Sequence, residues 1–424
     1  MKRLVLLAVV GMVLLFSSGC NSTKYLVKGP SVDTSIPFAE KMEHFDIPKV
    51  EVTYPTIYFD GHLWRDRVAE LVASAKDYVI ISSFLASSSE DLEYLYNLIA
   101  EKAKSGVRIY FVVDGTGAFD MTETRFHLIP LKFLRDSGVH LLEYNPLSVS
   151  RMVGVTKLMF RDHRKFLIVD GKNLALGGMN LNYISIGADG DDLQRDTMYE
   201  FSSPQLCTVM LDGFVSWWNE QTWDTVKRED FSVDYDFGKG EEHYTAWFVD
   251  QYPLSNKLAG FYGSLLTEAK SSVKTLPFLP FFDQNLLSVF RQTGKRGVDV
   301  QMMIPFDSRV SNRKGIEYMT KDLLSMQIDL RMEQESKTSQ QLLHEKLMII
   351  DSRYVVIGST NLNYRSFTLA FEMSLVIDCP SFAMEMEKHF DKIFGDSLPV
   401  TVEQADKWRS FESWPRYAFG IIGG

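Results

Sequence analysis

Two stretches 181 residues apart carry the same lettering, and no other feature narrows the possible folds as much. His163-Arg164-Lys165, four apolar residues and Asp170 match His344-Glu345-Lys346, four apolar residues and Asp351. Seventeen positions after each histidine stands an asparagine: Asn180 in Gly177-Gly178-Met179-Asn180-Leu181-Asn182-Tyr183, and Asn361 in Gly358-Ser359-Thr360-Asn361-Leu362-Asn363-Tyr364. An acid follows in each copy, Asp196 sixteen positions on and Glu372 eleven. The first copy therefore holds about five extra residues, in the loop-like stretch from Gly187 to Asp192. A lone His-x-Lys-x4-Asp arises by chance in on the order of a few hundredths of such chains. Twice, at matched distances, it marks a duplication.

The repeat extends upstream. In copy one a helical stretch ends at Ala75-Lys76 before a β-rich run, and a second helix closes at Gly106-Val107 before another strand. Copy two repeats this with Ala269-Lys270 and Gly297-Val298. Gly106 and Gly297 suit helix C-caps. Strands alternating with helices predict an α/β fold of two duplicated lobes, each a mixed, largely parallel β-sheet flanked by helices, paired by pseudo-twofold symmetry. A length of 424 residues leaves room for two or three domains. The expected lobes are 56–238 and 239–398, followed by an aromatic and basic C-terminal tail at 399–424.

The motif residues suggest a chemistry. Four apolar residues between Lys and Asp mark a buried strand. If that strand extends back to the histidine, His and Lys project from one face. An ammonium beside an imidazole is an odd core choice, since Lys is seldom buried unpaired and its charge lowers the histidine pKa. An anion between them removes the conflict, and phosphate is the obvious one. The amides of Asn180 and Asn361 could donate to the same anion. Paired copies would place His163, His344, Lys165, Lys346, Asn180 and Asn361 around one phosphodiester. One imidazole can then attack phosphorus to form a phosphohistidine. The other protonates the departing oxygen and later deprotonates the acceptor. Near pH 7 only histidine serves in both states. Lys165, Lys346 and the two asparagines would hold the equatorial oxygens, so no metal or other cofactor is expected. Asp170 and Asp351 close their strands and are expected to tie a turn rather than to react.

The N-terminus reads as an address. Lys2 and Arg3 precede an apolar run from Leu4 to Phe16, then Ser17, Ser18, Gly19 and Cys20. Such a run is too short to cross a bilayer comfortably, and the pattern is secretory. It resembles a bacterial lipoprotein signal: residues 1–19 removed, lipid added to Cys20, and 20–55 serving as a Ser/Thr/Pro-rich spacer. Asn21 resembles the outer-membrane sorting pattern, which implies a cell-envelope protein, lipid-anchored at the periplasmic face of the outer membrane.

The remaining residues receive plainer expectations. Lys plus Arg number 45 against 55 Asp plus Glu, a net charge of −10 that disfavours nucleic acid as a partner. His44, His62, His127, His140, His243 and His389 lack metal-ligand spacing and read as surface or satisfied histidines. Cys207 and Cys379 read as buried thiols, with a disulfide as the alternative. The tail from Lys407 to Ile422 mixes Trp, Tyr, Phe and Arg, as an interfacial segment does, and packing on the second lobe explains it equally well. Trp217, Trp218 and Trp223 read as helix–core contacts.

Over about residues 56–396 the chain resembles the phospholipase D superfamily, whose signature is the paired His-Lys-Asp motif. Glu143-Tyr144-Asn145-Pro146, Phe160-Arg161-Asp162-His163-Arg164-Lys165, Gly177-Gly178-Met179-Asn180, Arg195-Asp196-Thr197 and Gly358 to Ser366 are similar to bacterial cardiolipin synthases. Many of those begin with two transmembrane helices, where this chain has the lipoprotein-like leader. The resemblance implies one site at the lobe interface, in which the acid of each lobe orients the histidine of the other: Glu372 with His163, Asp196 with His344. It also implies His163 as nucleophile and His344 as acid/base. The expected partners are membrane phospholipids: a phosphatidyl group passes to phosphatidylglycerol to give cardiolipin, with phosphatidylethanolamine as a possible second lipid. A hydrolytic phospholipase D uses the same residues and is the alternative. A nucleic-acid phosphodiesterase is disfavoured by charge and tethering, and an inactive scaffold by the intact motifs.

Overall fold

The computed structural model describes residues 36–87, 89–115, 131–146, 159–188, 193–307, 309–335 and 342–423. The leader, Cys20, His127 and most of the extra loop of copy one lie outside the described residues.

Two sheets carry the architecture. The first has the order β2 (Thr56–Tyr58), β9 (Met198–Ser202), β8 (Asn173–Gly177), β7 (Phe166–Val169), β3 (Tyr78–Ser83), β4 (Arg108–Asp114), β5 (His140–Tyr144). The second runs β1 (Lys49–Thr53), β10 (His243–Gln251), β16 (Ala370–Asp378), β15 (Tyr354–Gly358), β14 (Leu347–Ile350), β11 (Ser272–Leu276), β12 (Asp299–Ile304), β13 (Asp329–Met332), β17 (Leu398–Pro399). A short strand from the first half, β6 (Arg161–Asp162), pairs with β16 of the second. The duplication is plain in the topology. Each half has a parallel trio, β3-β4-β5 or β11-β12-β13, beside an antiparallel motif strand, β7 or β14, and its hairpin partner.

The sheets are mixed, as expected, but not largely parallel: in both, antiparallel pairs outnumber parallel ones. The cause is local. Only residues 170–172 join β7 to β8, and only 351–353 join β14 to β15, links far too short for a parallel crossover. Asp170 and Asp351 open these turns with φ of 52° and 55°. The Asp170 carboxylate accepts from the N–H groups of Lys76, Asp77 and Tyr78 at 2.8–2.9 Å. Asp351 takes those of Lys270, Ser271 and Ser272 at 2.7–3.0 Å. Burial would raise the Asp351 pKa, but these N–H bonds win and hold it low. Each aspartate thus staples the end of a motif strand to the start of the first strand of its trio.

The spacer expected over 20–55 is corrected for its second half. Phe38–His44 is a helix, and Lys49–Thr53 is the edge strand β1, antiparallel to β10. Val50 and Val52 are buried, while Lys49 and Glu51 face out. That alternation is what a half-buried strand requires.

Burial follows the same logic. Along β7, Phe166 and Ile168 face one core while Leu167 and Val169 face another. The central core gathers the inner faces of both sheets with the helices Pro204–Gln221 and Pro380–Gly395. One outer core lies under the helices Gly61–Ser74 and Glu93–Lys104. The other lies under Lys257–Glu268, Gln284–Lys295 and Val310–Leu324. Trp217 and Trp218 belong to the central core, whereas Trp223 is wholly exposed. Cys207 and Cys379 are free, buried thiols. The shared core binds the halves into one body and positions the site between them.

Candidate active site

The two halves exchange backbone as well as side chains. β6, immediately before His163, pairs with Ala370 and Phe371, immediately before Glu372. The ladder continues with His163 N–H donating to the Phe371 carbonyl at 3.0 Å. Its counterpart is a bridge between Leu343 and Arg195, with His344 N–H donating to the Arg195 carbonyl at 2.8 Å. Each histidine is therefore carried to the acid of the opposite half by main-chain hydrogen bonds.

The side chains complete the crossing. His163 Nδ1 lies 3.0 and 3.1 Å from the two carboxylate oxygens of Glu372. His344 Nδ1 lies 2.5 Å from Asp196 Oδ2. Lys165 Nζ donates to the His163 carbonyl at 2.6 Å, and Lys346 Nζ bonds the His344 carbonyl in the same way. Lys346 Nζ also sits 2.8 Å from His344 Nδ1. His344, Lys165, Lys346, Asp196, Glu372, Asn180 and Asn361 are all buried, and His163 nearly so.

The acids are held differently. Glu372 accepts from the hydroxyls of Ser359 at 2.6 Å and Ser366 at 2.5 Å. At the position matching Ser359, copy one has Gly178, where a Cβ would lie 2.1 Å from Asp196 Oδ1. Only glycine lets that carboxylate approach. Asn180 Oδ1 accepts from Leu85 N–H at 3.1 Å, which leaves its NH2 as the free end, whereas Asn361 Oδ1 is buried without a partner.

Electrostatics tie these groups into one cluster. Burial, then Lys165 and Lys346, push His163 well below its usual pKa. His344 is pushed down to about 3, by burial first and Lys346 next. Burial also lowers Lys165 to about 7 and Lys346 to about 8. Glu372 is raised to about 7 by burial, against the pull of Lys165. Asp196 stays low because Lys346 and His344 outweigh its burial. Lys346 acts on His163 and Lys165 on His344, so the charges of each half reach the imidazole of the other. Burial and the neighbouring cations thus disfavour the charged forms of both imidazoles, and burial does the same to both ammonium groups, whereas a bound anion would favour them.

Several neighbours escaped the sequence analysis. Phe84 lies edge-on to His163 at 4.9 Å between centroids, and Phe278 lies 4.3 Å from His344. Lys165 and Lys346 sit over these same two rings. A signal existed, since Phe84 and Phe278 each stand eight positions after the Ala-Lys of their copies. Arg365 also lowers His163 and was not anticipated. The other described histidines are placed elsewhere: His44 lies edge-on to Phe45 at 5.1 Å, His62 bonds the Ala188 carbonyl at 2.8 Å, His140 pairs with Asp224, His243 meets the Gly238 carbonyl at 3.3 Å, and His389 meets Glu345 at 2.7 Å. A cavity of about 360 Å³ borders Asp196 and is lined by Phe59, Arg195, Glu345, His389 and Lys392 among others; neither catalytic-motif histidine lines it.

Comparison with known proteins gives the family. The family described as "Cardiolipin synthase, PLD-like domain" matches residues 68–218 and 262–394. Cardiolipin synthase 1 of Bacillus anthracis is 23% identical over 402 residues, covering 91% of this chain and 74% of that protein. Cardiolipin synthase A of Pseudomonas aeruginosa is 26% identical over 352 residues, covering 81% of this chain and 67% of its own length. The crystal structure of phosphatidylserine synthase from Haemophilus influenzae superposes with a TM-score of 0.69 at 12% identity, covering 91% of this chain and 99% of that one, a likeness of fold. With two matched domains spanning most of the chain, the protein belongs to the phospholipase D-like domain family of the cardiolipin synthase type and is a phospholipase D-type enzyme.

Proposed function

We propose that the protein is a phosphatidyltransferase that makes cardiolipin from phosphatidylglycerol and a second phospholipid. The observation that carries this is the crossed pairing: each imidazole is held by the acid of the other half, with both ammonium groups in the same buried cluster.

The steps follow from the donors and acceptors. Lys165, Lys346 and the amide of Asn180 receive the anionic oxygens of the donor phosphodiester, and binding restores the charge that burial had suppressed. Glu372 accepts from His163 Nδ1–H, which leaves Nε2 as the lone pair. Nε2 attacks phosphorus, a P–N bond forms, and the P–O bond to the donor's headgroup alcohol breaks. His344, protonated once the phosphate is bound and steadied by ionised Asp196, gives its Nε2 proton to the departing oxygen. In the second step His344 takes the proton of the incoming glycerol hydroxyl. The new P–O bond forms, and the P–N bond returns its electrons to His163. Microscopic reversibility gives each histidine one role in both directions.

Purified protein with phosphatidylglycerol vesicles, with and without phosphatidylethanolamine, tests this by mass spectrometry of the lipids. Cardiolipin is the expected product. Phosphatidic acid alone would overturn transfer in favour of hydrolysis. No described helix is long and apolar enough to cross a membrane. A lipid on Cys20 would instead hold the enzyme to the periplasmic face of the outer membrane. Incorporation of labelled fatty acid, lost in Cys20→Ala, checks that part.

A further inference from the structure

The C-terminal segment is a structured element with no part in the chemistry above. The helix Trp414–Gly423 lies on the second half: Tyr417 stacks on Tyr318 at 4.7 Å, and Gly420 rests against the ring of Phe281. Phe281 lies three residues beyond Phe278, the ring packed on His344. Its carbonyl accepts Tyr364 N–H at 3.1 Å, at the start of the helix Tyr364–Thr368 that carries Arg365 and Ser366. The inner face of the tail helix therefore abuts the wall of the active site.

Three rings of the segment, one just before the helix and two on it, are uncovered. Phe411 is 90% exposed, Trp414 45% and Phe419 68%. Three large rings exposed within nine residues are costly in water and mark an interaction surface. Beside them in sequence stand Lys407, Arg409 and Arg416 with the acids Asp406 and Glu412; Asp406 is paired with Lys321, which leaves the exposed Lys407 and Arg416 against Glu412. Lys407 and Arg416 face solvent, while Arg409 is engaged with Asp322 at 2.8 Å. Tryptophan and phenylalanine with flanking cations suit the headgroup boundary of an anionic bilayer. A twofold contact with a second copy fits worse, because it would press the same cations against each other.

We propose that Phe411, Trp414 and Phe419 form a docking surface for anionic phospholipid bilayers, which seats the active-site wall against the headgroup layer. This rests on the phospholipid reading above and adds the surface through which the substrate is reached. The test uses the full chain and the variant Phe411→Ser/Trp414→Ser/Phe419→Ser. Each is assayed on phosphatidylglycerol vesicles and on short-chain phosphatidylglycerol dissolved as monomers. The expected result is a vesicle KM raised by at least about tenfold with monomer turnover unchanged, since the three rings would bury apolar area only against the bilayer. Unchanged vesicle kinetics overturn the proposal, as does equal loss on both substrates. Wild type and Trp414→Phe are also compared on vesicles of brominated phosphatidylglycerol. The emission difference between them isolates Trp414, and its quenching is expected. An unquenched Trp414 overturns docking, as would self-association lost in the triple variant without any change in vesicle binding. Turnover of neither lipid form, with Trp414 still quenched, would refute the proposed function and leave the docking surface standing.

Discussion

Replacing Glu372 by Gln probes the crossed pairing with little change of shape. The carboxylate is fully buried and bonded to Ser359, Ser366 and His163. A full charge 3.0 Å from an imidazole that becomes cationic interacts by about 5 kcal/mol at an effective dielectric near 20. A Gln carbonyl dipole retains part of that, so a net loss of about 3 kcal/mol is expected, a fall of ~10² in the rate of phosphoenzyme formation. Stability should move the other way at alkaline pH. The folded pKa, about 7, lies above the 4.5 of a free glutamate. This group therefore favours the fold at acid pH, and that contribution is lost as pH rises through about 7. Uncharged Gln escapes the penalty, so the variant should melt no lower than wild type at pH 8. The assay is the pre-steady-state burst of p-nitrophenol from a p-nitrophenyl phosphodiester, a leaving group that needs no protonation. Glu372→Gln should slow the burst. Asp196→Asn, which impairs His344, should leave the burst intact and slow the steady state. A burst rate within threefold of wild type in a folded Glu372→Gln protein would refute the assistance of His163 by Glu372.

Further outcomes are expected. Lys165 and Lys346, lowered to about 7 and about 8, must hold their protons to grip an anion. The affinity for dimethyl phosphate, a monoanion throughout, should thus fall as pH rises from 7 to 9, with proton uptake on binding measurable by calorimetry in buffers of different ionisation enthalpy. A pH-independent affinity would contradict this. Asp351→Ala removes the acceptor of three backbone N–H groups and should cost about 2 kcal/mol in denaturant unfolding, with Asp170→Ala similar. Loss of turnover without loss of stability would instead give these aspartates a chemical role. Because both cationic side chains already sit in the cluster, activity should persist in EDTA; a strict requirement for divalent metal would contradict the two-histidine scheme.

The duplicated motif was legible because its residues recur together at fixed spacing, and the structure brings both copies into one buried cluster. The partner acids were reached through the family resemblance rather than from spacing, since unequal loops separate Asn180 from Asp196 and Asn361 from Glu372. Ser359, Ser366, Phe84 and Phe278 were missed because hydroxyls and rings near a strand end are ordinary in composition. Only their place in the repeat sets them apart. The parallel character of the sheets was overestimated because the helix-linked trios are conspicuous, while the three-residue turns at Asp170 and Asp351 are what reverse the motif strands. β1 reads as spacer in the sequence because Pro48 and Pro55 bracket its short polar–apolar alternation. The tail divided between two explanations: its packing on the second half is visible in Tyr417 and Gly420, while the exposed Phe411 and Phe419 leave the interfacial role to the docking experiment.

Rapid quench of wild type and His344→Ala with radiolabelled donor lipid, followed by peptide mapping at alkaline pH, bears most directly on whether two halves share one phosphate through one nucleophile. Phosphorus bound to His163, and accumulating in His344→Ala, is the predicted result. Label on His344 in wild type, or full turnover with no covalent species at any time, would contradict it.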